Sequence, residues 1–153
     1  MANELSTAGI TLKYAVEATA GTKPTSGYTT VPNVKSMAEI NPEPSSLEVT
    51  DLSDLIWKRY IDGLKDPGGA LSFTVNMTQA FKDAWTALCT AAAAARAADK
   101  ATWFEIAIPG IDSFYFAGLP SDLGFAGAEV DSVLENSVYI TPNQIAGFAE
   151  ASA

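Results

Sequence analysis

One segment of this chain repeats its apolar residues every three or four positions, and every other patterned segment alternates. In "QAFKDAWTALCTAAAAARAADK" the residues Phe81, Ala84, Trp85, Leu88, Cys89, Ala92 and Ala95 share one helical face. Alanine loses no side-chain entropy in a helix, and its small size permits close approach to a sheet. The spacing therefore predicts one helix over about 79–98, with Thr78 as its N-cap. Around it the period is two. Ile10, Leu12, Tyr14 and Val16 fall on one side of "GITLKYAVEA", and Leu71, Phe73, Val75 and Met77 on one side of "ALSFTVNM". "ATWFEIAIPG" and "DSFYFAG" read as a hairpin. "AEVDSVLE" and "NSVYITP" read as a second, joined near Glu135–Asn136. Strands, one helix, then strands predict a mainly β chain: an antiparallel β-sandwich or rolled sheet with one flanking α-helix and a long loop.

The 153 residues fit a single domain. Residues 18–46 and 51–70 are rich in Gly, Pro, Ser and Thr and are expected to be extended loops. Within the first, "TTVPNV" and "SMAEI" are apolar enough for short strands or for patches that await a partner. The tail 146–153 is expected to be flexible. The opening "MANELSTAG" has neither a basic region nor an apolar run, which predicts no secretory signal. No stretch approaches the roughly twenty apolar residues of a membrane span, so no membrane insertion is expected.

The chemistry available is narrow. With no histidine and a single cysteine, Cys89, neither a Ser-His-Asp nor a Cys-His arrangement can be built, nor can an imidazole or thiolate metal site. No cofactor, metal or catalytic residue is expected. Glu43, Glu48, Asp51 and Asp54 leave a carboxylate-dependent carbohydrate enzyme as a remote alternative.

Charge is spread unevenly. Of the 18 acidic residues, the seven beyond Lys100 have no Lys or Arg among them, although the chain carries nine. Such a segment repels a phosphate backbone. Glu129, Asp131 and Glu135 alternate with Val130, Ser132 and Leu134, which as a strand would gather them on one face, and Glu105 sits on the preceding hairpin. "WKRY" (57–60) interleaves rings and cations, the residue types in which interface energy concentrates.

Several stretches in order carry a resemblance: "VPNVKSMAEINPEPSSLEVTDLSD", "RYIDGLKDPGGALSFTVNM", "FKDAWTALC" and "FAGLPSDLGFAGAEVDSVLENSVYITP". Over roughly residues 8–145 the chain resembles the major tail tube proteins of long-tailed bacteriophages and prophages of Gram-positive bacteria. The same architecture serves the tube proteins of contractile injection systems. The resemblance implies a non-enzymatic virion subunit whose hexameric rings stack into a hollow conduit. That conduit surrounds the tape measure protein, meets tail tip and tail terminator proteins, and later passes genomic DNA without sequence-specific binding. Assembly would take place in the host bacterial cytoplasm, and the product would be part of the virion tail. It also implies that "YIDGLKD" docks on a neighbouring subunit, with Trp57, Lys58, Arg59, Tyr60, Lys65 and Asp66 at the contact, and that Glu105, Glu129, Asp131 and Glu135 face the lumen. A tail terminator or decoration protein is the nearer alternative.

Overall fold

The computed structural model describes residues 4–153. The expected helix, α1, runs Gln79–Ala97. Thr78 is extended (φ −132°) and its hydroxyl accepts the Phe81 amide at 3.1 Å, satisfying one of the donors a helix start leaves free. At the other end Asp99 takes a left-handed conformation (φ 56°), and the Lys100 amide returns to the Ala95 carbonyl at 2.8 Å.

The strands are β1 (Thr11–Val16), β2 (Thr29–Val31), β3 (Val34–Met37), β4 (Ser46–Glu48), β5 (Tyr60–Asp62), β6 (Leu71–Asn76), β7 (Thr102–Ala107), β8 (Ser113–Pro120) and β9 (Glu135–Ala149). Seven form one antiparallel sheet in the order β2-β1-β7-β8-β9-β6-β3, while β4 and β5 pair only with each other. The fold is thus mainly β and antiparallel with one helix.

The sheet is rolled, and the reason is covalent. β2 and β3 stand at opposite ends of the seven-strand order, yet only Pro32 and Asn33 separate them in sequence. A flat sheet would hold those ends roughly 29 Å apart, at about 4.8 Å per strand gap. Three residue steps span about 10 Å at most. The ends must therefore curl toward each other, with Asn33 (φ 62°) making the tight turn. The roll encloses Leu12, Val31, Phe73, Val75, Phe104, Phe116, Val138 and Ile140. α1 adds Phe81, Trp85 and Leu88 to the same core, and the Trp85 indole N–H donates to the Ser121 carbonyl at 2.9 Å. The strands expected at 10–17 and 70–77 are β1 and β6, and the hairpin expected after the helix is β7–β8.

Two expectations fail after residue 120. The segment 128–134 lies in the connection between β8 and β9 and belongs to no strand, and Asp131 has a left-handed backbone (φ 63°). The edge it would have used is taken, because β9 is one 15-residue strand whose first half pairs with β6 and second half with β8. Two register shifts against β8 bend it. Gly118 stands at one of them, where a Cβ would lie 2.8 Å from the Thr141 carbonyl oxygen. Nor does the tail hang free. Residues 146–149 are the end of β9, and Ser152 and Ala153 are hydrogen-bonded to Glu105 and to the Thr25 carbonyl. The region 18–46, expected to be a loop, contributes both edge strands of the sheet.

Candidate assembly surface

β4 and β5 are the paired part of an arm. Its base is closed by two backbone hydrogen bonds between Glu43 and Asp66, at 3.0 and 3.3 Å, followed by Gly63 to the Ser45 carbonyl at 2.8 Å. The register continues as Ser46–Asp62, Leu47–Ile61 and Glu48–Tyr60, and ends where the Val49 amide meets the Arg59 carbonyl at 2.9 Å. A Cβ on Gly63 would lie 2.4 Å from Ser45 Oγ, so a side chain there would turn the Ser45 hydroxyl away from the Leu64 carbonyl it now reaches at 2.6 Å. All six strand residues are exposed, so the arm buries no strand face of its own.

What the arm exposes is apolar. Leu52 is 100% exposed, Leu55 89%, Ile56 83% and Trp57 82%; Leu47, Tyr60, Ile61 and Leu64 are exposed as well. Single exposed apolar residues are ordinary; here they are concentrated between residues 47 and 64. Trp57 and Tyr60, expected at a contact, are thus accessible for one. Leu52, Leu55 and Ile56 were not among the expected contact residues; the run "DLSDLIW" fits neither a helical nor an alternating period, and that is their one signal in the sequence, while Leu64 falls within "YIDGLKD".

Arg59, also expected at that contact, is engaged inside the arm. Its Nε donates to Asp54 Oδ2 at 2.8 Å and its Nη2 to Asp51 Oδ2 at 3.1 Å, both within its own loop. Hydrogen bonds from the Ser53 side chain and amide hold the Asp51 carboxyl below the usual carboxylate range. The Asp51 amide, then the Arg59 guanidinium, do the same for Asp54. The Asp66 carboxylate accepts the Gly68 amide at 2.9 Å and so shapes the Pro67–Gly68–Gly69 turn. Lys58 and Lys65 make no ion pair among the described residues.

The structure also scatters the four carboxylates expected to share a lumen-facing surface. Glu105 is only 1% exposed, on the sheet face opposite the main core. Tyr115, its register partner on β8, places its hydroxyl 2.8 Å away, and Ser152 donates from its amide and hydroxyl at 3.0 and 2.7 Å. Burial pushes the Glu105 carboxyl up, but these hydrogen bonds outweigh it and leave the group below its ordinary value. Tyr28 meets Tyr115 edge to face, and its hydroxyl is pushed up to about 12, by burial and then by the Glu105 charge. Lys23 lies 3.8 Å above the Tyr115 ring. Within the subunit, therefore, Glu105 is a buried anchor for the tail and lines no surface. Glu135, at the start of β9, pairs with Lys35. Glu129 and Asp131 are exposed on the loop before β9, beside Val130 at 98% exposure.

Neither the protein-family models nor the curated proteins contain a match to this chain. Solved structures do share its fold over nearly its whole length. A chain in the six-fold-symmetrised baseplate of the anti-feeding prophage aligns with a TM-score of 0.60 and 7% identity, covering 97% of this chain and 98% of that one. A chain in the tube-terminating cap of the same prophage gives 0.57 and 10%, over 97% and 95%. A chain in the tail of an empty GTA particle, refined with C6 symmetry, gives 0.56 and 12%, over 92% and 96%. This chain folds like components of phage-type tails.

Proposed function

We propose that this protein is a structural subunit of a phage-type tail tube. In this reading six copies close into a ring, and rings stack into a hollow conduit that surrounds a tape measure protein and then passes the genome. The observation that carries it is the arm, whose exposed apolar residues have no cover among the described residues and are suited to a neighbouring copy. The full-length likeness to chains in six-fold tail assemblies supports a ring. Trp57 and Tyr60 serve as anchors on the adjacent copy. Of the residues expected at the lumen, Glu129 and Asp131 on the connection 121–134 are the exposed pair that carries its charge, where a negative wall keeps phosphate from adhering. The subunit has no catalytic role and is part of a virion tail assembled in the host cytoplasm, where it meets tail tip and terminator proteins.

A second reading is favoured by the likeness to baseplate and cap chains: a ring that initiates or ends a tube and does not propagate. Electron microscopy of the concentrated protein separates the two. Hollow tubes of uniform width support the first, single closed rings support the second, and persistent monomers at high concentration contradict both.

A further inference from the structure

The loop between Val49 and Arg59 buries no apolar side chain, so hydrophobic packing cannot set its shape. A polar network does. The Arg59 amide donates to Thr50 Oγ1 at 2.8 Å, the Asp51 amide to Asp54 Oδ2 at 2.9 Å, and the Ser53 amide to Asp51 Oδ1 at 2.8 Å. At its centre the Arg59 guanidinium engages both carboxylates, and Asp54, with a side chain 17% exposed, is the most enclosed of the three charged groups.

We infer that Arg59 is a positioning residue acting in cis: it clasps Asp51 and Asp54 of its own loop and thereby presents Leu52, Leu55, Ile56 and Trp57 outward as one fixed apolar tip for a second copy of this chain. Its targets are the two carboxylates of its own loop, not an acidic group across an interface. A single exposed ion pair stabilises little, but a planar guanidinium that spans two carboxylates, each also held by backbone amides, has geometry that a lone pair lacks. Without the cation the two carboxylates repel across the tip and the loop opens. An opened tip must be ordered at the moment of docking, and that cost falls on assembly, not on the fold. The inference rests on the assembly reading for its consequence but not for its geometry.

The two parts are tested separately on the full chain. In dilute, unassembled protein, hydrogen exchange at the amides of Asp51, Ser53 and Arg59 is protected in the wild type. Arg59→Ala accelerates exchange there and leaves the β6–β9 ladder unchanged. An unprotected wild-type loop, or an unchanged one in the variant, overturns the clasp. In assembly, followed by pelleting and electron microscopy, Arg59→Glu raises the concentration needed for polymers by about tenfold or more. Mixing Arg59→Glu chains with Asp51→Lys/Asp54→Lys chains brings no recovery, because each loop must carry its own clasp. Recovery on mixing would show pairing between subunits and overturn the proposal. A wild type that never assembles, with the exchange result intact, sinks the tube reading and leaves the clasp standing.

Discussion

Ser152 holds both oxygens of Glu105: its amide reaches Oε2 at 3.0 Å and its hydroxyl reaches Oε1 at 2.7 Å. The penultimate described residue is thereby tied to a carboxylate on β7. The Tyr115 hydroxyl lies between Glu105 Oε2 and the Glu150 carbonyl, at 2.8 and 2.7 Å, and shares its one proton between two acceptors. The C-terminal strap, residues 150–153, and the sheet face are joined through that one carboxylate.

Glu105→Ala is therefore expected to cost about 1–3 kcal/mol, the penalty for leaving buried donors unpaired. It should also free the strap, so that carboxypeptidase removes residues 150–153 faster than in the wild type. Urea denaturation and timed mass spectrometry measure the two effects. The pH dependence has a definite sign. The carboxyl is depressed in the folded state, so its contribution is fully present above the unfolded value near 4.5 and is lost as pH falls through the lower folded value. Strap release should begin in that acid range.

Thr78 closes the roll as well as capping the helix. Its hydroxyl accepts from Phe81 and donates to Asn33 Oδ1 at 2.8 Å, at the turn between the two ends of the sheet. Thr78→Ala should cost about 1 kcal/mol, typical of a lost cap, and Thr78→Ser much less. Chemical denaturation of the two variants checks the difference.

Gly118→Ala should destabilise the subunit by about 1–3 kcal/mol. The new methyl would meet the Thr141 carbonyl oxygen at 2.8 Å and Ile140 Cγ2 at 2.9 Å, and the backbone oxygen cannot rotate away. Gly124→Ala, with nothing within 4 Å of its Cβ position, serves as the matched control in thermal melts.

Trp57→Ala and Tyr60→Ala should leave the monomer's circular dichroism and melting unchanged, since neither ring belongs to the core. Each should weaken subunit docking by about 2 kcal/mol. Polymer yield by sedimentation is the measurement, and wild-type yields from both variants would remove the arm from the contact.

Local pattern determined much of this fold. The 3.6-residue period of 79–97 and the threonine before it specify a capped helix, because both signals act over one or two turns. The alternation of 11–16 and 71–76 specifies strands and the faces they bury, because successive side chains of a strand point opposite ways. The absence of histidine withholds from this chain the commonest acid/base near neutral pH and the commonest metal ligand.

The tertiary structure decided which partner each strand took. Alternation reports a face and says nothing of the neighbour. Thus "TTV" and "VKSM", separated by two residues, could join opposite ends of a sheet only once the sheet had rolled. The alternating "EVDSVL" (129–134) stayed a loop because β6 and β8 satisfied both edges of β9, leaving that segment no ladder to join. Glu105 was covered because the chain's last residues crossed its face, a contact between positions 47 apart. Arg59 turned inward because the nearest carboxylates were those its own loop had folded beside it. In the first three cases a long-range contact settled what a periodic pattern left open; for Arg59 the closure of its own loop did.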